Sequence, residues 1–370
     1  MDKPLRIAQI APPGIPCPPD GYGASELVAG NLTEELVDWG HDVTLFAHPA
    51  SVTRAALVSF PRVYDLEDAD RRETIHTSLA LDYAERFDII HNHCIRPGPS
   101  LIRLARPASL TTLHYVRPIL YAFPAAPYAA VSHAQARQLA AGLNIAGVAP
   151  NGIDLAAFPV VREKADYLLF LGRIDPKKGV HLAIEAARAL DAPLLIAAAH
   201  PTPDNRAYFE TQVRPGLGGK IEYIGHVGTA EKIRLLGRAR CVLMPQQWEE
   251  PFGLVAAEAL ASGTPVVAMR RGALPEIVPD GVAGYLVDGV AEMIDAVSRV
   301  GAIRPDDCRN AVEGRYSRAA MTDAYLAIYR RLLDRESAAS PAERRALAFD
   351  AAAKPPLAST VRSNGATHHR

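Results

Sequence analysis

The sequence predicts an α/β protein built from two doubly wound parallel sheets. Short apolar runs alternate with longer amphipathic segments along the 370 residues, which is the pattern of strand–helix–strand units. This pattern begins at Leu5–Ile10 and starts again at Tyr167–Leu171, after a polar stretch at 159–166. A chain of this length typically folds into about two domains. We therefore expect an N-terminal domain over residues 1–158 and a second domain over 159–315.

The first predicted domain contains short strands, each followed by polar or turn-forming residues. A loop rich in proline and glycine (11–23) follows the first strand. A helix is predicted from about Ser25 to Trp39, where Gly40 ends it. The further strands predicted in this domain are Asp42–Ala47, Asp88–His91, Ser109–Leu113 and Tyr128–Val131.

The second predicted domain repeats this order of elements. Its first strand enters a glycine-containing turn (172–179), and a helix is predicted after it over Val180–Leu190. A mostly apolar helix is predicted over Leu254–Ala261. The further strands predicted are Pro193–Ala198, Ile221–Ile224, Arg240–Met244, Pro265–Ala268 and Gly284–Val287.

The C-terminal part of the chain does not continue the strand–helix pattern. Residues 316–336 contain a late amphipathic helix, predicted over Tyr316–Arg335. Residues 337–370 are rich in alanine, serine and proline and have no periodicity. We expect them to form a mostly disordered tail.

The overall composition excludes several classes of protein. The chain has 40 basic and 41 acidic residues, a net charge of −1, so no basic field is present to attract nucleic acid. The four cysteines lack CxxC spacing, which favours free thiols in a reducing compartment. No stretch reaches the ~18 apolar residues of a membrane span, and the start of the chain is too broken for a signal peptide. We therefore expect a cytoplasmic protein.

The turn at 172–179 is a candidate anion site. A strand that runs through such a turn into a helix places free backbone N–H groups at the carboxyl edge of the sheet. Arg173 and Lys178 add positive charge there, which suits a diphosphate. The alternative is a solvated turn that carries two surface cations.

Two acidic residues eight positions apart form a second candidate site. Glu250 precedes a Pro-Phe-Gly loop, and Glu258 lies about two turns inside the apolar helix that follows. A carboxylate in such a helix is costly unless it is paired or faces a ligand. The hydroxyls of a sugar or ribose can satisfy it. The alternative is that Glu258 caps a neighbouring stretch of backbone.

The segment His91-Asn92-His93-Cys94 directly follows a predicted strand. Because side chains alternate along a strand, His91 and His93 can share a face. A third metal ligand is not evident. We therefore interpret these residues as lining a cleft, with one histidine near a substrate.

Several segments of the chain resemble the motifs of a known protein family. The segment EPFGLVAAE, with ASGTPVVA after it, resembles the E-x7-E element of the retaining glycosyltransferases of family GT4, which have the GT-B fold. LFLGRIDPKKG looks like that family's GR-x4-KG turn. Other similar segments are APNGID, AVSHAQAR, RGALPEIVPDGVAGYLV and the opening PPDGYGASELVAGNLTEELVDWGHDVTLFA. The resemblance covers about residues 4–335. It implies two Rossmann-like domains that face each other across a cleft, with the helix in 316–336 packing on the N-terminal domain.

The resemblance also implies roles for the matching residues. Arg173 and Lys178 match cations that neutralise the donor diphosphate, and His114 matches a histidine that faces the transferred sugar. Glu258 matches the acid that binds the nucleotide ribose, and Glu250 matches the acid near the sugar. The catalytic residues implied are thus Arg173, Lys178, Glu250 and His114. The other donor-binding residues implied are Gly23, Gly172, Val227, Phe252, Gly253 and Leu254.

One position departs from the family pattern. Ala24 stands where the family has the second glycine of its opening motif. Alanine keeps the backbone N–H but disfavours a positive φ. The GT-B type usually needs no divalent metal, and no DxD-like motif stands beside these segments. We therefore expect no metal and no cofactor other than the nucleotide sugar itself.

The expected activity is transfer of a hexose or N-acetylhexosamine, with retention, from a nucleotide sugar to a soluble acceptor such as a natural product or small saccharide. The predicted helix at 25–39 carries four acidic and no basic residues, so anionic lipid would repel it. A UDP-sugar is the expected donor. The alternatives are a GDP-mannose-dependent mannosyltransferase, a GT-B nucleotide-sugar epimerase and a catalytically silent nucleotide-sugar-binding partner.

Overall fold

A computed structural model describes residues 3–94, 96, 101–102 and 108–338 of the chain. The first domain contains a seven-stranded parallel sheet. Its strands are β1 (Arg6–Ile10), β2 (Asp42–Phe46), β3 (Ala56–Val58), β4 (Ile89–Asn92), β5 (Ala108–Thr112), β6 (Tyr128–Ala130) and β7 (Ile145–Val148). They lie in the order β3-β2-β1-β4-β5-β6-β7.

The second domain contains a six-stranded parallel sheet. Its strands are β8 (Leu168–Leu171), β9 (Leu194–Ala197), β10 (Ile221–Gly225), β11 (Cys241–Met244), β12 (Val266–Met269) and β13 (Gly284–Val287). They lie in the order β10-β9-β8-β11-β12-β13. In both sheets the strand order reverses beside the first strand. Ligands of such sheets bind at the carboxyl ends of the strands at this reversal.

Helices cover the faces of both sheets. The longer helices of the described residues are α1 (Ala24–Asp38), α2 (Ala69–Leu81), α3 (His133–Leu139), α4 (Val180–Ala189), α5 (Thr229–Arg238), α6 (Leu254–Ala261), α7 (Val290–Arg299), α8 (Pro305–Glu313) and α9 (Arg318–Ala338). Shorter helical segments are Pro61–Tyr64, Arg206–Tyr208 and Leu274–Ile277, with a π-helical turn at Phe209–Val213. Among the described residues, no helix is long and apolar enough to cross a membrane.

The predicted α/β fold with two parallel sheets is confirmed, and each predicted strand is present within one residue at either end. β3, β7 and, among the helices of the first domain, α2 and α3 were not predicted from the sequence. β3 has only three residues and lies at the sheet edge. β7 contains Gly147, an unusual strand residue, which leaves room for Ile328. α2 is polar along most of its length, so it lacks a clear apolar stripe.

The C-terminal helix α9 returns to the first domain. Its residues Met321, Tyr325 and Tyr329 are buried in one hydrophobic cluster with Ile7 of β1 and Leu32 of α1. The helix runs over Arg318–Ala338, so the tail predicted from residue 337 begins with two helical residues. The rest of that predicted tail, 339–370, lies outside the described residues.

Candidate active site

A cavity of about 760 Å³ lies between the two domains. The loops that follow β1 and β5 line one side, and those that follow β8 and β11 line the other. Eleven residues that the family resemblance assigns to the donor or the reaction line this cavity: Gly23, His114, Gly172, Arg173, Lys178, Val227, Glu250, Phe252, Gly253, Leu254 and Glu258. The fold therefore brings together positions that are far apart in the chain.

The turn after β8 supplies the cavity with cations. The side chain of Asp175 accepts a hydrogen bond from the backbone N of Lys177 at 2.9 Å, which stabilises the turn. Gly179 ends the turn with a φ of 72°. A Cβ at this position would lie 2.1 Å from the carbonyl oxygen of Pro245, so only glycine fits. This close contact between two backbone segments thus fixes the backbone position from which the Lys178 side chain extends.

The two cations of this turn differ in how they are held. The side chain of Arg173 is 48% exposed, and its guanidinium lies 3.5 Å from Asp175. Such a half-exposed pair contributes little to stability. Lys178 is mostly buried and its Nζ donates to Glu250 Oε2 at 2.6 Å. Arg173 is therefore available to an anionic ligand, whereas Lys178 already has a carboxylate partner.

Glu250 is held by two donors. Besides Lys178, the indole Nε1 of Trp248 donates to Glu250 Oε2 at 3.0 Å. The Lys178 ammonium also lies 5.2 Å from the centre of the Trp248 ring, within the range of a cation–π contact. The neighbouring Glu249 is exposed and accepts from the backbone N of Gly272 at 2.7 Å. Glu250 is thus the carboxylate of this pair that lines the cavity.

The helix α6 points its N-terminus at the cavity. It begins at Leu254, directly after Gly253, whose φ is 105°. No side chain caps this end of the helix in the described structure. The first backbone N–H groups of a helix have no partner within the helix, and the helix dipole adds positive potential there. Phe252, Gly253 and Leu254 therefore form a second anion-binding element.

Glu258 forms a buried ion pair with a partner that was not predicted from the sequence. Its Oε1 lies 2.7 Å from Nζ of Lys232 on α5, and both side chains are more than nine-tenths buried. The predicted alternative of backbone capping by the Glu258 side chain is therefore not what the structure shows. Lys232 lies three and four residues before the buried Leu235 and Leu236, on the apolar face of its helix. This spacing is the feature of the sequence from which a buried lysine could have been predicted.

His114 lies on the other side of the cavity, at the end of β5. Its Nε2 lies 2.9 Å from Nδ1 of His93, which also lines the cavity. Burial lowers the pKa of His114 to about 3 and holds the pKa of His93 well below its usual range. Both imidazoles are therefore neutral at pH 7. The His91 ring is tilted against that of His93, with ring centres 4.2 Å apart, and is fully buried behind the cavity wall. The prediction that this segment lines a cleft therefore holds for His93 and is wrong for His91, whose side chain is used inside the sheet.

The loop before α1 meets the second domain. The backbone N of Gly21 donates to Thr229 Oγ1 at 3.0 Å, which brings the Gly23 loop beside Val227. Ala24 is the first residue of α1 and has no positive φ. The alanine at this position is thus compatible with the loop, because the backbone here is helical.

Two further cavity residues carry unused hydrogen-bond acceptors. Asn151 and Gln246 are buried, line the cavity, and have side-chain carbonyl oxygens without a partner in the described structure. Buried acceptors of this kind are costly unless a ligand or water satisfies them. Among the described residues, no group of three or more histidine, cysteine or acidic side chains could hold a metal ion.

Comparisons with curated proteins point to one enzyme family. The chain is 34% identical over 212 residues to a D-inositol 3-phosphate glycosyltransferase of Mycolicibacterium smegmatis, with 51% of this chain and 48% of that protein covered. It is 34% identical over 208 residues to the same enzyme of Mycobacterium marinum, with 49% and 44% covered. The chain thus spans about half the length of the curated relatives it matches.

Solved structures agree on the architecture. The glycosyltransferase AviGT4, which is involved in avilamycin A biosynthesis, matches with a TM-score of 0.71 and 29% identity over 90% of this chain and 98% of its own. Sucrose-phosphate synthase of Thermosynechococcus elongatus matches with a TM-score of 0.68 and 20% identity, over 90% and 100%. The second match concerns the fold alone. Together with the two facing sheets, these matches confirm the GT-B fold.

Family models match both domains. The model described as Glycosyltransferase Family 4 matches residues 25–157, and the model described as Glycosyl transferases group 1 matches residues 155–309. The two matches meet at the junction between the domains and together span residues 25–309. The chain belongs to glycosyltransferase family 4.

Proposed function

We propose that this protein is a retaining glycosyltransferase that moves a hexose or N-acetylhexosamine from a UDP-sugar to a soluble acceptor. One observation carries the proposal. Arg173, Lys178 and the uncapped N-terminus of α6 line one side of a single cavity. Three positive groups in this arrangement suit a diphosphate, the leaving group of a nucleotide sugar.

The two carboxylates support binding of the rest of the donor. Only Oε1 of Glu258 is bonded to Lys232, so Oε2 has no partner in the described structure and can accept hydrogen bonds from a ribose diol. Glu250 Oε2 accepts hydrogen bonds from both Lys178 and Trp248, which leaves Oε1 to accept one from a sugar hydroxyl. Each lysine thus neutralises a carboxylate without using the whole hydrogen-bonding capacity of that carboxylate.

The proposed reaction breaks the bond between the anomeric carbon and the diphosphate oxygen. The nucleoside diphosphate leaves with its bonding electron pair, and Arg173, Lys178 and the α6 N-terminus stabilise the developing negative charge. The acceptor hydroxyl forms the new bond on the same face of the sugar, and its proton passes to an oxygen of the departing phosphate. Configuration is retained, and no protein base is required. His114 orients a hydroxyl of the transferred sugar.

We propose that no divalent cation takes part in this step. The two side-chain cations and the helix terminus supply positive charge where the leaving group develops its own. Turnover should therefore be unchanged in the presence of excess EDTA. Loss of activity in EDTA that Mg²⁺ or Mn²⁺ restores would contradict this part of the proposal.

The acceptor is proposed to bind against the first domain. The curated relatives are named for D-inositol 3-phosphate, and AviGT4 for the biosynthesis of avilamycin A. The name of the curated relatives favours a water-soluble, hydroxylated acceptor over a membrane lipid. The cavity side formed by the first domain includes side chains that can bind hydroxyl and phosphate groups, among them Glu26, Arg72 and Tyr115. Inositol phosphates and small saccharides are therefore the first acceptors to test.

The decisive experiment measures binding and turnover together. Calorimetry in EDTA with UDP, GDP, dTDP and ADP identifies the nucleotide, and product analysis of the matching sugar conjugates with candidate acceptors detects transfer. Arg173→Ala should lower kcat/KM at least about 100-fold. Arg188→Ala, an exposed cation on α4 outside the cavity, should behave like the wild type.

Each other outcome counts against the proposal in a defined way. Conversion of the donor without any acceptor indicates an epimerase, and nucleotide binding without turnover indicates a silent binding partner. An anomeric inversion in the product, seen by proton NMR, contradicts retention. If no nucleotide binds, the proposal of a transferase loses its basis.

A further inference from the structure

A continuous chain of hydrogen bonds links the cavity to the C-terminal helix. His114 Nε2 lies 2.9 Å from His93 Nδ1, and His93 Nε2 lies 2.8 Å from Gln9 Oε1. The amide nitrogen of Gln9 donates to the hydroxyl of Tyr329 on α9 at 3.2 Å. The strand β1, the end of β4 and the helix α9 thus contribute consecutive links.

The chain continues beyond Tyr329 inside the first domain. The Tyr329 hydroxyl lies 2.6 Å from His91 Nδ1, and His91 Nε2 lies 2.7 Å from Thr112 Oγ1. Thr112 in turn lies 2.8 Å from the hydroxyl of Tyr325, one helical turn before Tyr329. We call the seven residues the histidine chain: His114, His93, Gln9, Tyr329, His91, Thr112 and Tyr325. All except His114 are buried, and only His114 and His93 line the cavity.

The orientation of the Gln9 amide sets the direction of every bond toward the cavity. Because its NH₂ group donates to Tyr329, its carbonyl oxygen faces His93 Nε2, which must then be the donor. A neutral imidazole has one N–H, so His93 Nδ1 is an acceptor and the Nε2–H of His114 donates to it. The remaining ring nitrogen of His114, Nδ1, therefore carries no proton.

That nitrogen is free to act on a ligand. His114 Nδ1 has no protein partner within the described ranges, and it is not among the buried atoms that lack one. Since His114 lines the cavity, its unprotonated nitrogen can accept a hydrogen bond from a hydroxyl there. The opposite tautomer would require the Gln9 amide to turn over and each hydroxyl bonded to the amide or the histidines to reorient.

We propose that Gln9, His93 and Tyr329 are positioning residues that hold His114 with its proton on Nε2, so that Nδ1 accepts a hydroxyl hydrogen from the transferred sugar. The inference rests on the proposed transferase function for the identity of that hydroxyl. Gln9 and Tyr329 are fully buried, so neither can reach a ligand. Any effect that they have on turnover therefore passes through His93 and His114.

Two tyrosines of α9 provide a matched test. Tyr329 and Tyr325 are both fully buried, and each loses one hydroxyl on substitution by phenylalanine. Tyr329 bonds to Gln9 and precedes it in the path to His114, whereas Tyr325 bonds only to Thr112 at the far end. A purely structural role predicts similar losses for both variants. A positioning role predicts a loss for Tyr329→Phe alone.

The readout that does not depend on turnover is ¹⁵N NMR of selectively labelled histidines. In the wild type, His114 should show a protonated Nε2 and an unprotonated Nδ1. In Tyr329→Phe, the His114 signals should shift toward a mixture of tautomers, with kcat lowered at least about tenfold and the donor KM within about twofold. Tyr325→Phe should keep the wild-type tautomer and a kcat within about twofold.

Two results would overturn the inference: a wild-type His114 protonated on Nδ1, or equal losses of kcat in the two tyrosine variants. If Tyr329→Phe does not fold, Gln9→Met removes both hydrogen-bonding groups at similar volume and should give the same mixed tautomers. If the wild type binds no nucleotide, the proposed function fails, while the NMR result still decides whether the histidine chain sets the tautomer.

Discussion

The two domains bury polar side chains beside the cavity in opposite ways. The second domain does so with full charges in two lysine–glutamate pairs, Lys178–Glu250 at 2.6 Å and Lys232–Glu258 at 2.7 Å. The first domain does so with the histidine chain, in which burial holds the histidines neutral. The charged pairs suit a diphosphate ligand, and the neutral chain suits hydroxyl groups. Two similar sheets thus give the cavity two chemically different sides.

The difference follows from the elements that carry the residues. The histidine chain is mounted on the sheet, with Gln9 on β1, His91 on β4 and Thr112 on β5. The lysine–glutamate pairs come from helices and turns, with Lys232 on α5 and Glu258 on α6. Sheet positions fix hydrogen-bond geometry closely, which suits a role in orientation. Long lysine side chains on helices and turns can exchange one anionic partner for another when a ligand enters.

The largest expected effect is on the buried pair of the second domain. Glu258→Ala leaves the Lys232 ammonium buried without a counter-charge, which should lower the free energy of unfolding by about 3–5 kcal/mol. Urea denaturation measures this loss. Glu231→Ala, on the helix α5 that carries Lys232, removes an exposed pair with Arg234 and should cost less than about 1 kcal/mol.

A double variant separates charge from packing at the same site. Lys232→Met combined with Glu258→Leu replaces both ions by apolar groups of similar volume and should recover most of the stability lost in Glu258→Ala. If the double variant is as unstable as Glu258→Ala, the loss comes from packing, and its attribution to an unpaired Lys232 ammonium is wrong.

The second prediction concerns acid stability of the first domain. Burial lowers the pKa of His76, on α2, from 6.5 to about 4. The unfolded chain therefore takes up this proton at a higher pH than the folded chain. The stability linked to His76 is fully present above pH 6.5 and is lost as the pH falls toward 4. It amounts to something on the order of 3 kcal/mol.

His76→Leu tests this linkage. The His76 ring packs against Phe60 and Tyr64, so leucine retains an apolar contact and cannot be protonated. Between pH 7 and pH 4 the variant should lose less free energy of unfolding than the wild type, by on the order of 3 kcal/mol. His133→Gln, which changes an exposed histidine, should follow the wild-type curve. Parallel curves for all three proteins would refute the assignment.

The sequence predicted the second domain's site better than the first's. The glycine-containing turn and the two glutamates could be predicted because each motif consists of residues close together in the chain, such as Arg173 and Lys178. All the residues that the family resemblance assigned to the donor or the reaction line the cavity. The partner of Glu258, Lys232, was missed because the pairing depends on how α5 packs against α6, which the local pattern does not contain.

The histidine chain shows the same limit more strongly. His91 and His93 were considered as metal ligands, yet the distant residues to which they are hydrogen-bonded are Gln9 and Tyr329 of α9. Those partners lie on β1 and on the last helix, at opposite ends of the described chain. No periodicity in the sequence relates them. Only the return of α9 to the first domain brings them together.

The smallest expected effect concerns the contacts that join the two domains. Asp20 Oδ1 of the first domain accepts from the backbone N of Thr229 at 2.8 Å, at the start of α5, which has no side-chain cap of its own. In return, Glu276 of the second domain accepts from the backbone N of His133 at 3.0 Å, at the start of α3. Each domain thus caps a helix of the other.

Asp20→Ala should raise the donor KM about threefold and leave kcat nearly unchanged, because Asp20 holds the Gly23 loop beside Val227 without touching the reacting atoms. Steady-state kinetics with saturating acceptor measures both constants. Asp20→Asn keeps a side-chain oxygen that can accept from Thr229 and should restore the wild-type KM. An unchanged KM in Asp20→Ala would mean that the charged and the neutral sides of the cavity bind their ligands independently, without a contribution from this contact between them.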